Sequence, residues 1–294
     1  MSESQNCQNT LNGKIHISGI GLFSGKKVSM SLIPAPEDHG IVFKRLDLAS
    51  QPTILANVSN VEETDRTTFL GLGKHKIQTV EHLLSALSAY NIDNLLIEIN
   101  GFEVPIVDGS SKEFAKLIKQ VGIKKQNKQA KVLKISQPIS FSEKHVDLIA
   151  LPSDEYKISF TLHHPFSEFL NSQYFSYKVD SRTYLSEIAP SRTYSIYEEI
   201  KYFLDNNLIK GGSLENAVVI KDNKVINSEG MRFPNEMVRH KILDLIGDLS
   251  LTGCRLSAHI ISIRSGHLTN IRFAKKLFNL VKERDCNEQY SIKS

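Results

Sequence analysis

Alternating apolar and polar residues predict strands along the first part of the chain. Residues 14–21, 27–34 and 41–45 alternate in this way, and a glycine-bounded turn at 21–25 separates the first two. Residues 1–13 are polar, and we expect them to lack regular structure. The chain is therefore expected to begin with an antiparallel strand pair and a further short strand.

Apolar residues three and four positions apart predict the first helix, at residues 78–90. Thr79 is expected to cap its N-terminus, which places Glu81 and His82 in the first turn. The apolar stripe that faces the core is formed by Val80, Leu83, Leu84 and Leu87.

A strand, a helix and a linker are expected to follow. Residues 94–100 have the apolar pattern of a strand, and Ser110 or Ser111 is expected to cap a helix that runs to Val121. The lysine-rich stretch 123–134 is the best linker candidate in the chain.

Beyond this linker the pattern of the first half recurs. Residues 17–34 resemble residues 135–152 at a constant offset of 118, and residues 80–87 resemble 238–245. We interpret the recurrence as an internal duplication, with chance similarity between amphipathic segments as the alternative. Equivalent helix starts from the two copies would then meet.

The repeat predicts an α+β protein with two domains of similar topology, residues 1–126 and 127–294. Each copy would consist of strands followed by a helix. The second copy carries an insertion near 190–215, in which residues 196–207 predict an amphipathic helix. The second copy is expected to end with a strand at 258–264 and a final helix.

The helix predicted at residues 237–248 carries an unusual second periodicity. His240, Asp244 and Asp248 lie at i, i+4 and i+8, so they stack along one face of the helix. An imidazole and a carboxylate one turn apart can bind one divalent ion. The alternative is a solvated polar face with a Lys241–Asp244 pair.

Composition narrows the functional classes. The chain has 294 residues with 40% apolar and 23% charged residues, as in a soluble globular protein. A net charge of +4 is too mild to predict nucleic-acid binding but would suit an anionic small substrate. Cys7, Cys254 and Cys286 lack pairing or metal-binding spacing, which favours a reducing compartment, and no apolar run could span a membrane.

The duplication suggests how a metal centre could be completed. Catalytic zinc sites have three protein ligands and one open position. His240 and Asp244 supply two ligands, and His82 is the natural third because the repeat makes it the counterpart of His240. Beside it, Glu81 could take a proton from the attacking water as a general base.

His267, which is expected in a loop after the strand at 258–264, is the candidate general acid. Asp248 would hold its ring and stabilise the imidazolium. The alternative is that His267 is merely a solvated loop histidine.

These residues fall within short motifs that together resemble a known family. The order and spacing of the motifs resemble the zinc-dependent UDP-3-O-acyl-N-acetylglucosamine deacetylases of lipid A biosynthesis from about residue 15 to residue 280. The motifs are Thr79-Val-Glu-His82, Asp108-Gly-Ser110, Ser191-Arg-Thr193, Gly211-Gly-Ser213, Arg239-His-Lys-Ile-Leu-Asp-Leu-Ile-Gly-Asp248 and Ser265-Gly-His267.

The resemblance implies two domains of similar topology, each a β-sheet layered against two α-helices, with helices packed at the domain junction and the site at that junction. It implies zinc on His82, His240 and Asp244, with Glu81 as general base and His267 as general acid. By the same resemblance, Thr193 would help to hold the oxyanion, Lys241 and Asp248 would line the site, and the insertion would shape a passage for the fatty acyl chain. The expected substrate contacts are Thr193, Tyr194, Ile196, Ile200, Leu208, Gly212, Ser213 and Lys241.

The chain departs from this family at one position. Phe23 stands where the family usually has histidine, and phenylalanine cannot donate a hydrogen bond. A polar substrate contact from this position is therefore in doubt, whereas the expected zinc and acid–base residues are all present.

Two other functions fit parts of the pattern. A zinc hydrolase of another amide, such as a peptidase, would use the same metal ligands but would need an open groove. A catalytically dead module that binds an acylated nucleotide sugar would lack one of the catalytic residues. We expect a cytoplasmic monomer that contacts the inner membrane surface at most transiently, with Zn²⁺ as its metal, although the ligand set also accepts Fe²⁺.

Overall fold

Two mixed β-sheets with the same strand order organise the chain. The structure, a computed structural model, describes residues 7–62, 66–165 and 167–291, and the side chains of the last range as far as 281. No helix within these ranges is both long and apolar enough to cross a membrane.

The elements of the first half begin with the N-terminal strand and end with a strand that leads into the second half. In chain order they are β1 (Cys7–Leu11), β2 (Ile15–Ile20), β3 (Lys27–Pro34), β4 (Ile41–Arg45), β5 (Thr53–Leu55), β6 (Val61–Glu62), β7 (Phe69–Leu70), β8 (Ile77–Gln78), α1 (Glu81–Ala89), β9 (Leu95–Ile99), α2 (Lys112–Val121) and β10 (Ile123–Gln129).

The second half adds nine strands and four helices in the described residues. These are β11 (Val132–Lys134), β12 (Ile139–Glu143), β13 (Val146–Pro152), β14 (Tyr156–His163), β15 (Ser172–Lys178), α3 (Tyr184–Glu187), β16 (Tyr194–Ile196), α4 (Tyr197–Asp205), β17 (Val218–Lys221), β18 (Lys224–Val225), α5 (Glu236–Ser250), β19 (Arg255–Ile263) and α6 (His267–Ser291).

The two main sheets share one topology. The first has the order β2-β3-β9-β4-β5, and the second has the order β12-β13-β19-β14-β15, with β11 added beside β19. The central strand of each sheet, β9 or β19, is the one that comes last in the chain. β9 is antiparallel to β3 and parallel to β4, and β19 is antiparallel to β13 and parallel to β14. The predicted α+β class with two units of similar topology is confirmed, while the duplication itself stays a hypothesis.

Strand pairing shows where the constant offset of 118 holds and where it fails. The offset matches β3 to β13. However, Ile17 pairs with Met30 in the first hairpin, whereas Phe141 pairs with Leu148 in the second. Phe141 therefore occupies the place of Ile17 rather than that of Phe23, because the second hairpin has a shorter turn.

The helices meet between the two sheets, as predicted. α1 packs against α5, α5 packs on β14 and β15, and α2 and α6 contact β2 and β13. α5 buries apolar residues on several sides, including Met237, Val238, Ile242, Leu245, Ile246 and Leu249. Because α5 is enclosed in this way, its polar residues are buried as well.

Two predictions about the connecting segments are wrong. Part of the N-terminal stretch that was expected to lack structure forms β1, and most of the lysine-rich linker forms β10, which pairs with β1. Both strands are polar, so they pair through the backbone without showing the apolar alternation that predicts a strand. Residues 1–6 lie outside the described part of the chain.

Two predictions about helix starts also need correction. Val80, not Thr79, is the N-cap of α1, and no side chain caps this end. Thr79 instead has a φ of 61°, an uncommon conformation for a β-branched residue. His267 is the first residue of α6 rather than part of a loop, since Asn270 N–H already bonds the Gly266 carbonyl.

Candidate metal centre

Three candidate metal ligands meet where α1 packs against α5. One ligand atom each from His82, His240 and Asp244 lies within 4.8 Å of the others. His240 Nε2 lies 3.3 Å from Asp244 Oδ1, and His82 Nε2 lies 3.8 Å from the same oxygen. The two imidazole rings stand edge to face with centroids 5.1 Å apart. The structure thus brings together the predicted pair from α5 and the predicted third residue from α1.

The polar atoms of this cluster fit a cation. Asp244 Oδ1 and His82 Nδ1 are buried and make no hydrogen bond in the described structure. His240 Nδ1 faces the Ser191 carbonyl at 3.0 Å, which leaves Nε2 directed at Asp244. Buried polar atoms without partners are costly unless a ligand satisfies them. Two imidazoles and one carboxylate form a donor set that a divalent metal accepts.

The electrostatics favour the ligand forms of these residues. Burial lowers the pKa of His82 to about 3, and burial also lowers the pKa of His240, so both rings are neutral at neutral pH. Burial alone would raise the pKa of Asp244, but the surrounding His240, Lys241 and His267 outweigh it and lower the pKa. The alternative of a solvated face is wrong, although the Lys241–Asp244 ion pair does form at 2.8 Å.

Glu81 begins α1 and is held by the loop that precedes β7. Its Oε1 accepts a hydrogen bond from the Thr67 hydroxyl at 2.9 Å, and its Oε2 accepts one from the Thr68 N–H at 3.2 Å. Burial raises the pKa of Glu81 to about 7, with the negative charges of Asp248 and Asp244 acting in the same direction. A carboxyl group with this pKa can exchange a proton near neutral pH.

His267 and Asp248 form a buried pair beside the ligand cluster. His267 Nδ1 lies 2.9 Å from Asp248 Oδ2, which also accepts a hydrogen bond from the Asn270 amide. The other nitrogen, Nε2, lies 3.7 Å from Asp244 Oδ2 and 3.9 Å from Glu81 Oε1. Burial opposes protonation of His267, but Asp248 and Asp244 outweigh it and raise its pKa to about 9.

The segment before β16 borders the ligands from the second half. The Tyr194 ring packs edge to face on the His240 ring, with centroids 6.3 Å apart, and Lys241 Nζ lies 5.7 Å from the Tyr194 centroid. Burial would lower the pKa of Lys241, but Asp244 outweighs it and raises the pKa. Thr193 lies between Ser191 and Tyr194, and its N–H donates to the Gly109 carbonyl at 2.8 Å. Thr193 therefore directly precedes Tyr194, the residue whose ring contacts His240.

A buried ion pair that the sequence analysis missed supports this segment. Arg192 and Glu236 have fully buried side chains, with Arg192 Nε 2.8 Å from Glu236 Oε1. Glu236 also accepts hydrogen bonds from the backbone N–H groups of Arg192 and Arg232. Arg192 stood in a recognised motif, but nothing in the local pattern could identify Glu236 as its partner.

The insertion contacts the turn that carries Phe23. The N–H groups of Lys210 and Gly211 donate to the carbonyl groups of Phe23 and Leu22 at 3.1 and 2.9 Å. The Phe23 N–H in turn donates to the buried carboxylate of Glu103 at 2.8 Å, a contact the sequence did not reveal.

The predicted acyl-contact residues differ in exposure. Ile200 is buried, Ile196 is half-buried and Leu208 is 49% exposed. Gly212 and Ser213 lie in the loop that follows α4. The role of the insertion as an acyl passage stays a prediction.

Comparison with known proteins identifies relatives over nearly the whole chain. The family model described as UDP-3-O-acyl N-acetylglycosamine deacetylase (LpxC) matches residues 8–279. The UDP-3-O-acyl-N-acetylglucosamine deacetylase of Chlamydia felis is 45% identical over 275 residues, which cover 93% of this chain and 97% of the relative. The enzyme of the same name from Chlamydia pneumoniae is 43% identical over 276 residues, which cover 94% and 98%.

These matches identify the chain as a hydrolytic deacetylase, and therefore as an enzyme. The chain belongs to the UDP-3-O-acyl-N-acetylglucosamine deacetylase family, as the sequence motifs predicted. This is a family of metalloenzymes, and the candidate ligands His82, His240 and Asp244 are all present in this chain.

Proposed function

We propose that this enzyme hydrolyses the N-acetyl group of UDP-3-O-acyl-N-acetylglucosamine in lipid A biosynthesis, releasing acetate and UDP-3-O-acyl-glucosamine. The family and the names of its relatives support this substrate. The single observation that carries the chemistry is the position of Glu81 and His267. Both side chains are buried beside the ligand cluster, and Glu81 Oε1 lies 3.9 Å from His267 Nε2.

Zn²⁺ is the proposed metal, held by His82, His240 and Asp244. When bound, it would polarise the amide carbonyl and make the attacking water more acidic. The donor set of two histidines and one carboxylate supports zinc and also accepts Fe²⁺. Metal analysis of protein purified without added metal would distinguish the two ions.

Glu81 is the proposed general base. Its pKa of about 7 suits a group that takes a proton from the attacking water at neutral pH. Thr67 and Thr68 donate hydrogen bonds to its two oxygens and so fix the direction of the carboxylate. Burial also keeps bulk water from competing for this carboxylate.

His267 is the proposed general acid. Its raised pKa of about 9 keeps the imidazole protonated at neutral pH, with the proton on Nε2 available to the departing amine nitrogen. Asp248 bonds Nδ1 and stabilises the imidazolium. Glu81 and His267 thus have pKa values that suit opposite proton transfers.

Thr193 and Lys241 are proposed to stabilise negative charge on the carbonyl oxygen during attack. Lys241 supports this role because its ammonium group is held beside Asp244 and keeps its charge. The same role for Thr193 is supported by its position directly before Tyr194, whose ring contacts His240.

The insertion is proposed to contact the fatty acyl chain of the substrate. Its candidate acyl contacts are Ile196, Ile200 and Leu208, whereas Tyr194, Gly212 and Ser213 are proposed to contact the substrate more generally. The partly exposed apolar side chains of Ile196 and Leu208 support this role, because contact with an acyl chain would remove apolar surface from water.

The enzyme is proposed to act as a cytoplasmic monomer, with at most transient contact with the inner membrane surface. The spacing of Cys7, Cys254 and Cys286, which matches neither a disulfide framework nor a metal motif, supports a reducing compartment. Sedimentation of the purified protein and fractionation of cells would test both statements.

Acetate release from UDP-3-O-acyl-N-acetylglucosamine tests the function directly. We expect acetate release that stops when a chelator removes the metal and returns when Zn²⁺ is added. Release of acetate should be compared with cleavage of a peptide amide under the same conditions. Peptide cleavage without acetate release would contradict the proposal and favour a peptidase.

A further inference from the structure

Thr68 contacts both sides of the proposed proton-transfer site, although no sequence motif singled it out. Its hydroxyl donates a hydrogen bond to Asp248 Oδ1 at 2.6 Å and also lies 3.4 Å from His267 Nδ1. Its backbone N–H donates a hydrogen bond to Glu81 Oε2 at 3.2 Å. Its carbonyl accepts a hydrogen bond from the Thr79 N–H at 3.1 Å. The residue is 1% exposed, so these bonds are shielded from bulk water.

The two carboxylate oxygens of Asp248 accept hydrogen bonds from different partners. Oδ2 receives His267 Nδ1 and the Asn270 amide, both at 2.9 Å, whereas Oδ1 receives the Thr68 hydroxyl. The carboxylate is fully buried. Without the bond at Oδ1, only the two hydrogen bonds at Oδ2 would hold the carboxylate, so its orientation and that of the imidazole bonded to Oδ2 would be less tightly fixed.

Thr68 also joins the two halves of the chain at this point. It lies in the first half, between residue 66 and β7, whereas Asp248 and His267 belong to α5 and α6 of the second half. Glu81 comes from the first half. A single residue therefore contacts both the proposed proton acceptor on one half and the carboxylate that holds the proposed proton donor on the other.

We propose that Thr68 is a positioning residue that aligns His267 through Asp248 for proton transfer to the leaving amine. This inference rests on the proposed function. Thr68 touches neither metal nor substrate in this account. Its hydroxyl keeps the Asp248 carboxylate in the orientation that His267 needs, while its N–H keeps Glu81 in place.

Thr68→Val removes only the hydrogen bond from the hydroxyl to Asp248. Valine matches the shape of threonine, and its backbone N–H can still donate to Glu81. We expect kcat to fall about 10- to 100-fold, as for other residues that orient a catalytic group, with KM and bound zinc unchanged. Thr68→Ser keeps the hydroxyl and should restore most of kcat. Asp248→Asn should make the effect of Thr68→Val much smaller, because both changes act on the same contact.

Thr10→Val is the matched control. Thr10 is 3% exposed, and its hydroxyl donates to the Asn94 carbonyl at 2.7 Å, outside the site. We expect this variant to be less stable but to keep the wild-type kcat. The comparison separates the loss of a buried hydroxyl in general from the loss of this particular one.

Two results would overturn the inference. One is a kcat for Thr68→Val within twofold of wild type, and the other is an equal loss in Thr68→Ser, which would assign the effect to packing rather than to the hydroxyl. Wild-type protein that releases no acetate would overturn the proposed function and this inference with it. An active wild type and a fully active Thr68→Val would overturn the inference alone.

Discussion

Gly247 of α5 packs directly against the backbone of Glu81 in α1. A Cβ atom at Gly247 would lie 2.2 Å from the Glu81 carbonyl oxygen and 2.9 Å from its carbonyl carbon. Real Cβ atoms do not approach this closely, so the two helices can meet at this distance only because residue 247 is glycine. The contact sets the separation between His82, the residue after Glu81, and the ligands on α5.

Gly247→Ala should therefore weaken both the fold and the metal centre. Alanine normally favours a helix over glycine by about 1 kcal/mol, but here overpacking should dominate and lower the free energy of unfolding by about 1–3 kcal/mol. Urea unfolding and zinc titration would measure both effects. Ser88→Ala, at a half-buried position on α1, is the control and should leave zinc affinity unchanged. A Gly247→Ala variant with wild-type stability and affinity would contradict the packing argument.

Glu81→Gln tests the proposed general base. Glutamine keeps the shape of the side chain but cannot take a proton, so turnover should fall on the order of 10²- to 10⁴-fold. Zinc should stay bound, because Glu81 is not among the three candidate ligands. Steady-state acetate release and metal analysis of the same preparation would check both results. Near-normal turnover would remove Glu81 from the mechanism.

The activity of the enzyme should fall at high pH as His267 loses its proton. Because the folded protein raises the pKa of His267 to about 9, the general acid is present below that pH and is lost as the pH rises through it. Asp248→Asn removes the carboxylate that favours the charged ring, so the high-pH fall should move to lower pH. The pH profile of kcat for both proteins measures this. An unchanged profile in Asp248→Asn would argue against His267 as the group that titrates.

Glu236→Gln should destabilise the protein through Arg192. The side chain of Arg192 is fully buried, and glutamine leaves its positive charge without this carboxylate. Breaking a buried ion pair on one side costs about 3–5 kcal/mol, and the expected loss is near the lower end because Arg192 keeps its ion pair with Glu229. Thermal and urea unfolding would measure the loss. We expect only a small loss of zinc affinity in this variant, because the Ser191 carbonyl would still contact His240 Nδ1.

Leu208→Ser tests the proposed acyl passage. Substrates with long acyl chains should lose more kcat/KM than substrates with short chains, because each buried methylene contributes about 0.8 kcal/mol. Leu55→Ser is the control, since Leu55 is 44% exposed, close to the 49% of Leu208, but lies on β5. Equal losses for long and short chains would show that Leu208 does not contact the acyl group.

Much of the site could be predicted because its residues lie on strongly periodic segments. His240, Asp244 and Asp248 repeat along one helix face, and Glu81 and His82 begin another helix with a clear apolar stripe. The four strands predicted in the first half, at residues 14–21, 27–34, 41–45 and 94–100, match β2, β3, β4 and β9 to within a residue for the same reason. The structure brings all five residues together.

Other parts could not be predicted because they depend on contacts between distant segments. Thr68 lies in a polar stretch without periodicity, and its partner Asp248 is far along the chain. Glu103 and Glu236 satisfy backbone N–H groups that no local pattern identifies as partners. The sequence predicts Thr79 as a helix cap, but Thr79 adopts a left-handed conformation, and its hydroxyl accepts a hydrogen bond from the Thr67 hydroxyl instead.

The most direct test of the account combines metal content with acetate release for wild type and His240→Ala. We expect one zinc per wild-type chain and acetate release that a chelator abolishes, with both lost in the variant. Thr10→Val should retain both and would control for general damage to the fold. Acetate release by metal-free His240→Ala at the wild-type rate would contradict the central claim that the cluster of His82, His240 and Asp244 holds the catalytic metal.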